Sequence, residues 1–334
     1  MIRRPPRSTQ GVSSAASDVY KRQVSPSHPD KMCDRISDAL LDLCLEQDPN
    51  SRCAIETMGG NQKVFITGEV TTEAKLTDGD IKRVVKQITN IDDVIIHLNT
   101  QSPEIAQGVD TGGAGDQGIM IGYACDENQE YVPQEYFLAR NLNRYLYANY
   151  RSDGKTQVTM NGNSLRVVAS FCGAPTEELE KKTTKFFSQF PQYHIEALHC
   201  NPAGDWDIGG FTADAGLTGR KLAVDNYGPR VPLGGGAFSG KDATKVDRSA
   251  AYMARRIAVD ILKEKGAKEV YVQLAYAIGY DQPLQATAIV DGEHQFVKGY
   301  DLSPKGIIDF LKLREPIYER TANFGHFGNG FEWR

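Results

Sequence analysis

The run Gly234-Gly235-Gly236-Ala237-Phe238-Ser239-Gly240-Lys241-Asp242, with Lys245, Asp247 and Arg248 close behind, has the composition of a polyphosphate site. Consecutive glycines remove the side-chain barrier to close approach, so backbone N–H groups can turn toward an anion. The lysines and the arginine supply positive charge, and the interleaved carboxylates suit a divalent cation. Gly235-x-x-x-x-Gly240-Lys241 also fits most of a P-loop, but Asp242 stands where a Ser or Thr should reach Mg²⁺. Pro229 and Pro232 precede the glycines, where a P-loop has a central hydrophobic strand. A P-loop-like NTPase or kinase using Lys241, with Ala288-Ile289-Val290-Asp291 as its Walker B segment, is one reading; a polyphosphate site of another architecture is the stronger one.

Other segments offer matching chemistry. His28-Pro29-Asp30-Lys31 places an imidazole, a carboxylate and an ammonium at a helix start, where free N–H groups and the helix dipole favour anions. The same residues also read as a plain cap and a first-turn acid. Asp153-Gly154-Lys155 is a turn feeding a strand, and Asp214 lies upstream of the adjacent cations Arg220 and Lys221. Either segment can equally be a solvated turn. Glu56 and Glu69 sit in or beside apolar strands, where an acid needs a partner or a cation unless it faces solvent at a sheet edge.

The elements that must position these groups alternate between helix and strand. Pro29 at a first helical position opens a helix to about Gln47, with Met32, Ile36, Leu40 and Leu43 on one face. Strands are expected at 64–70, 94–98 and 119–124, with a helix carrying Ile81, Val84, Val85 and Ile88 between the first two. Further on, 156–160 and 165–171 form a hairpin, 175–190 a helix, 246–265 a long helix, 269–277 and 285–290 strands, and Ser303-Pro304 caps a last helix. No sequence repeat is detectable. The class is α/β (α+β).

Composition narrows the function classes. The chain has 334 residues, 40% hydrophobic and 24% charged, enough apolar content for a large core. A net charge of −5 argues against a nucleic-acid surface, and no apolar run approaches a membrane span. Six cysteines without a C-x-x-C pair suit reduced thiols in the cytoplasm. Residues 1–23 carry five basic residues against one acid and resemble translated adaptor sequence, so they are expected to be an artefactual or disordered tail outside the fold.

Taken together, His28 to Lys31, Gly113 to Gly118, Gly216 to Lys221, the glycine run through Tyr252, and Gly325-His326-Phe327-Gly328 resemble the hallmark motifs of the S-adenosylmethionine synthase (methionine adenosyltransferase) family, in colinear order from residue 24 to 334. The resemblance implies three similar α/β domains with pseudo-threefold symmetry: 24–101, a gating loop at 102–113, 114–209 and 210–334. It implies synthesis of S-adenosylmethionine from ATP and L-methionine, then hydrolysis of the triphosphate, with a pair of Mg²⁺ ions and K⁺ as cofactors. A homodimer or homotetramer with active sites between subunits follows, as does a catalytically impaired relative as the alternative. By motif match, His28 bonds the leaving oxygen, Lys155, Arg220, Lys221 and Lys241 hold the triphosphate, and Asp30 and Asp247 bind Mg²⁺. Asp153, Asp205, Trp206, Asp214 and Ala237 line the ATP pocket; Glu69, Gln101, Asp214 and Lys245 bind methionine; Glu56 binds K⁺; Asp116 lies next to the substrate site. The family's first strand is expected to be missing or replaced by the tail.

Overall fold

A computed structural model describes residues 19–100 and 112–333. Gln101 and nearly all of the expected gating loop at 102–113 lie outside the described residues, as do 1–18 of the expected tail. The chain runs β1 (Val19–Val24), α1 (Pro29–Leu45), β2 (Arg52–Gly60), β3 (Lys63–Thr71), α2 (Asp78–Thr89), β4 (Asp93–Asn99), and then β5 (Gly118–Cys125), α3 (Gln134–Tyr150), β6 (Gly154–Asn161), β7 (Ser164–Phe171), α4 (Thr176–Phe187) and β8 (His194–Cys200). A third set follows: β9 (Gly216–Leu217), α5 (Leu222–Asp225), α6 (Val246–Lys265), β10 (Glu269–Tyr276), β11 (Gln285–Val290), β12 (Glu293–Phe296), α7 (Pro304–Leu311) and α8 (Tyr318–Thr321).

The strands form three four-stranded sheets, ordered β1-β6-β7-β8, β4-β3-β2-β9 and β12-β11-β10-β5. Each sheet therefore borrows one strand from another set. β1 joins the central sheet, pairing Val24 with Lys155; β5 joins the third, pairing Gly122 with Val272; β9 joins the first, pairing Met58 with Leu217. One expectation is corrected here. The first strand is present, and Val19–Gln23 of the expected tail are part of it, because they supply the antiparallel edge that β6 lacks. Strands are exchanged across the expected boundaries 24–101, 114–209 and 210–334, since β1, β5 and β9 each pair outside their own segment.

A long helix covers the inner face of each sheet: α1 on β2, α3 on β1 and β6, α6 on β5 and β10. The periodicity explains the burial. Ile36, Leu40, Leu41 and Cys44 of α1 are fully buried, as are Ala250, Ala254, Ile257 and Ala258 of α6. One apolar core spans the sheets packed by α1 and α6, and a second lies under the central sheet around Leu142, Leu146, Val167 and Phe171.

Candidate active site

The start of α1 is built by local chemistry. His28 is the N-cap, with Pro29 at the first helical position, and its Nδ1 accepts the Asp30 N–H at 3.2 Å. That bond leaves the proton of the neutral ring on Nε2, which is then a donor. Burial, and then the charges of Lys221 and Lys155, pull the imidazole from its ordinary 6.5 to about 3, so it is neutral at pH 7.

The most consequential feature of α1 is a ladder of aspartates at positions 30, 34, 38 and 42, four residues apart and so on one helix face. Together the rungs capture two loops and the start of α8. Asp30 Oδ1 accepts the Leu217 N–H at 2.9 Å, and its other oxygen pairs with Lys221. Asp34 Oδ1 accepts Gly219 N–H at 2.8 Å. Asp38 accepts Gly240 N–H at 2.8 Å and takes both arms of Arg248, at 2.6 and 2.9 Å. Asp42 accepts the Tyr318 and Glu319 N–H groups, each at 2.8 Å, and burial pushes its carboxyl up to about 7. Asp30, Asp34 and Asp38 are all buried. Lys31 completes the framework, with Nζ 2.6 Å from Asp225 and 3.1 Å from Asp34.

Two loops are thereby pinned to one helix. Gly216 passes so close to α1 that a Cβ there would lie 2.3 Å from the Pro29 carbonyl. This contact brings Arg220 Nε to 3.4 Å from Asp30. The glycine run is held from both sides: Gly240, at φ +82°, has its N–H on Asp38, while Arg248 donates to the carbonyls of Phe238 and Lys241. A Cβ at Gly240 would meet the Ile55 carbonyl at 2.0 Å, so only glycine fits. The two loops meet where a Cβ on Gly219 would lie 2.7 Å from the Ala237 methyl.

Lys241 Nζ is 2.7 Å from Asp247 Oδ2, and the other Asp247 oxygen accepts Gly236 N–H at 2.9 Å. Asp242, the residue that breaks the P-loop pattern, accepts the Cys53 N–H at 2.7 Å and pairs with Lys245. Its role is to staple the loop to β2, as an antiparallel bridge between Ala54 and Lys241 also shows. The Walker B reading fails in the same way, because Asp291 caps a turn, accepting the N–H groups of Lys268 and Glu269 at 2.9 and 2.8 Å.

The central sheet contributes a third wall. Lys155 opens β6 opposite Val24, and its charge reaches His28. Asp153 is buried; Oδ2 accepts Gly210 N–H at 3.2 Å while Oδ1 has no hydrogen-bond partner among the described residues, and burial holds the carboxyl above its usual range. It borders a cleft of about 420 Å³ with Ser27, Met32, Cys172 and Phe211. A somewhat larger cavity, about 510 Å³ around Tyr131, Arg144 and Lys263, holds none of the expected site residues.

His28, Asp30, Arg220 and Lys221 thus form one group, and Lys241 and Asp247 another beside Ala237. Other expected residues stand apart. Asp205 accepts both the backbone N–H and the hydroxyl of Thr176, at 3.0 and 2.6 Å, and so caps α4; Trp206 lies half-exposed beside it. Asp214 is exposed, close enough to Asp153 to raise its carboxyl. Glu69 is opposite Ala54 and Asn99 on the outer face of its sheet, Glu56 is opposite Thr67 on the same face, and Asp116 is in the loop before β5. Asp34, Asp38 and Asp225 were not among the expected residues, although the four-residue spacing of the aspartates was there to be read; Arg248, read as positive charge for an anion, is instead buried against Asp38.

Among the described residues no three His, Cys, Asp or Glu side chains cluster as a ready metal cage. Asp30 and Asp247 nevertheless fit a hard divalent ion of the kind that takes one or two carboxylates and completes its shell with substrate phosphates.

The neutral state of His28 makes a measurable prediction. Between about pH 6.5 and about pH 3 the unfolded chain binds a proton here that the fold does not, so stability is lost as pH falls through that window. His28→Asn is expected to flatten the fall in urea midpoint between about pH 7 and about pH 4.5. An unchanged slope contradicts the assignment.

Models of the S-adenosylmethionine synthetase N-terminal, central and C-terminal domains match residues 19–110, 111–170 and 208–334. S-adenosylmethionine synthases from Parvibaculum lavamentivorans and a Sulfurovum species are 40% and 42% identical, over 93% of this chain and 93% of theirs. A solved structure titled an unusual S-adenosylmethionine synthetase from Campylobacter jejuni superimposes with a TM-score of 0.85 at 32% identity, covering 95% of this chain and 96% of that one. The chain belongs to the S-adenosylmethionine synthetase family, the methionine adenosyltransferases.

Proposed function

We propose that this chain joins the methionine sulfur to the ribose 5′ carbon of ATP, displacing triphosphate, and then hydrolyses the triphosphate to phosphate and diphosphate. The reading is supported most by the convergence of Arg220 and Lys221 on Asp30 beside neutral His28, which the Lys155 charge also reaches. A neutral thioether attacking carbon leaves a highly charged anion, so the main task is to stabilise charge developing on the bridging oxygen. His28 Nε2–H donates to that oxygen, and Lys155, Arg220, Lys221 and Lys241 hold the remaining phosphates. Alignment of sulfur, carbon and oxygen supplies a further contribution of roughly 7–11 kcal/mol.

Asp153, Asp205, Trp206, Asp214 and Ala237 line the nucleotide end in this reading, and Glu69, Gln101, Asp214 and Lys245 the methionine end. Asp116 borders the substrate. Asp30 and Asp247 would hold Mg²⁺, which neutralises phosphate charge when bound, and Glu56 would hold K⁺. A homodimer or homotetramer with shared sites is supported by the outer face of the β4-β3-β2-β9 sheet. Met58, Phe65, Ile95 and Leu217 are exposed there beside Glu56 and Glu69. No helix among the described residues is long and apolar enough to cross a membrane. Six unpaired cysteines suit the reducing cytoplasm.

The test is incubation with ATP, methionine, Mg²⁺ and K⁺. S-adenosylmethionine is the expected product. Methionine-independent ATP hydrolysis alone would favour an NTPase, and nucleotide binding without turnover an impaired relative.

A further inference from the structure

We propose that Asp30 and Asp247 are placeholders that keep the site's cations occupied, so that a polyphosphate binds tightly only when it brings its own divalent cation. The inference rests on the triphosphate site proposed above and concerns its selectivity.

The two acids are anchored. Asp30 is 2% exposed and fixed by the Leu217 N–H; Asp247 is 6% exposed and fixed by the Gly236 N–H. Their cationic partners sit on flexible stems and are more open, with side chains 55% exposed for Arg220, 22% for Lys241 and 11% for Lys221. An incoming anion can therefore draw the cations toward itself, but the carboxylates cannot follow or retreat. A metal-free polyphosphate must break the Lys221–Asp30, Arg220–Asp30 and Lys241–Asp247 pairs. It then leaves two nearly buried carboxylates unpaired and facing phosphate oxygens, an arrangement that is costly at low exposure. A divalent cation carried by the polyphosphate removes the penalty, because each stranded acid gains a positive partner as its lysine departs. The exchange keeps every charge paired at each stage. Lys245 and Lys31 are paired with acids engaged in holding the fold, Asp242 on β2 and Asp34 on Gly219, and take no part in it.

The proposal makes an unusual demand: removing an acid should improve binding of the metal-free anion. Asp30→Asn and Asp247→Asn keep a carbonyl oxygen for the Leu217 and Gly236 N–H groups and delete only the charge. Titration calorimetry with inorganic tripolyphosphate in EDTA, at fixed ionic strength, is expected to show each variant binding about 5- to 10-fold tighter than wild type, the scale of one partly screened charge pair. In excess Mg²⁺ the order reverses and wild type binds tightest. Wild type alone is expected to bind tripolyphosphate at least about 10-fold tighter with Mg²⁺ than in EDTA, a comparison that needs no variant. Asn variants that bind the metal-free anion no tighter than wild type, or a wild type indifferent to Mg²⁺, overturn the placeholder role. Absence of tripolyphosphate binding even with Mg²⁺ contradicts instead the triphosphate site on which it rests.

Discussion

Lys241→Ala is expected to lower the rate of S-adenosylmethionine formation by at least about 100-fold, the scale on which a preorganised electrostatic donor acts. Lys241 is held for this task from its backbone outward. Its carbonyl accepts from Arg248, and its Nζ rests 2.7 Å from Asp247, within the turn that Gly240 makes possible. The loss should fall on kcat more than on the KM for ATP, because the extra charge on the departing triphosphate that Lys241 holds grows only as the bond breaks. The fold should be unaffected, since the Lys241 side chain is partly exposed and Asp247 keeps its bond to Gly236. Steady-state kinetics beside a melting curve checks both points; a loss confined to KM would place Lys241 in ground-state binding only.

Asp38→Ala should act in the opposite way, on the fold before the chemistry. Its partner Arg248 is completely buried, and Asp38 supplies the only carboxylate in its ion pairs among the described residues. Stripping a buried pair of one member costs about 3–5 kcal/mol, because the remaining charge is left uncompensated. Total stability is only about 5–15 kcal/mol, so a large share is at stake. The same change frees Gly240 N–H and loosens the turn that carries Lys241. Urea denaturation should show a clearly lower midpoint, with Asp38→Asn intermediate because it retains an acceptor. Wild-type stability in Asp38→Ala would remove the ladder from the account.

The sequence announced those elements whose boundaries are written in local chemistry. Pro29 after a capping histidine starts α1, Ser303-Pro304 starts α7, and the apolar spacing of α6 gives its span from Val246 to Lys265. α3 passed unseen because Pro133 offers no side-chain cap and because its asparagines and tyrosines are weak helix formers, although Leu138, Leu142 and Leu146 mark its buried face. The exchange of strands between sheets has no local signature. β1 and β6 pair across more than a hundred residues, and nothing near Val24 names Lys155 as its neighbour.

The candidate site divides in the same manner. The glycine run, the His28 segment and the Arg220–Lys221 pair stood out by residue type. The aspartates behind them did not, since acids four residues apart on a helix ordinarily read as a solvated face. Their burial depends on loops from distant sets settling onto α1 and offering N–H groups, which is tertiary information.

The most direct measurement is the stoichiometry of a rapid-quench reaction with ATP, methionine, Mg²⁺ and K⁺. A triphosphate leaving-group site predicts one phosphate and one diphosphate for each S-adenosylmethionine, with no ADP. Formation of ADP and phosphate independent of methionine would contradict it.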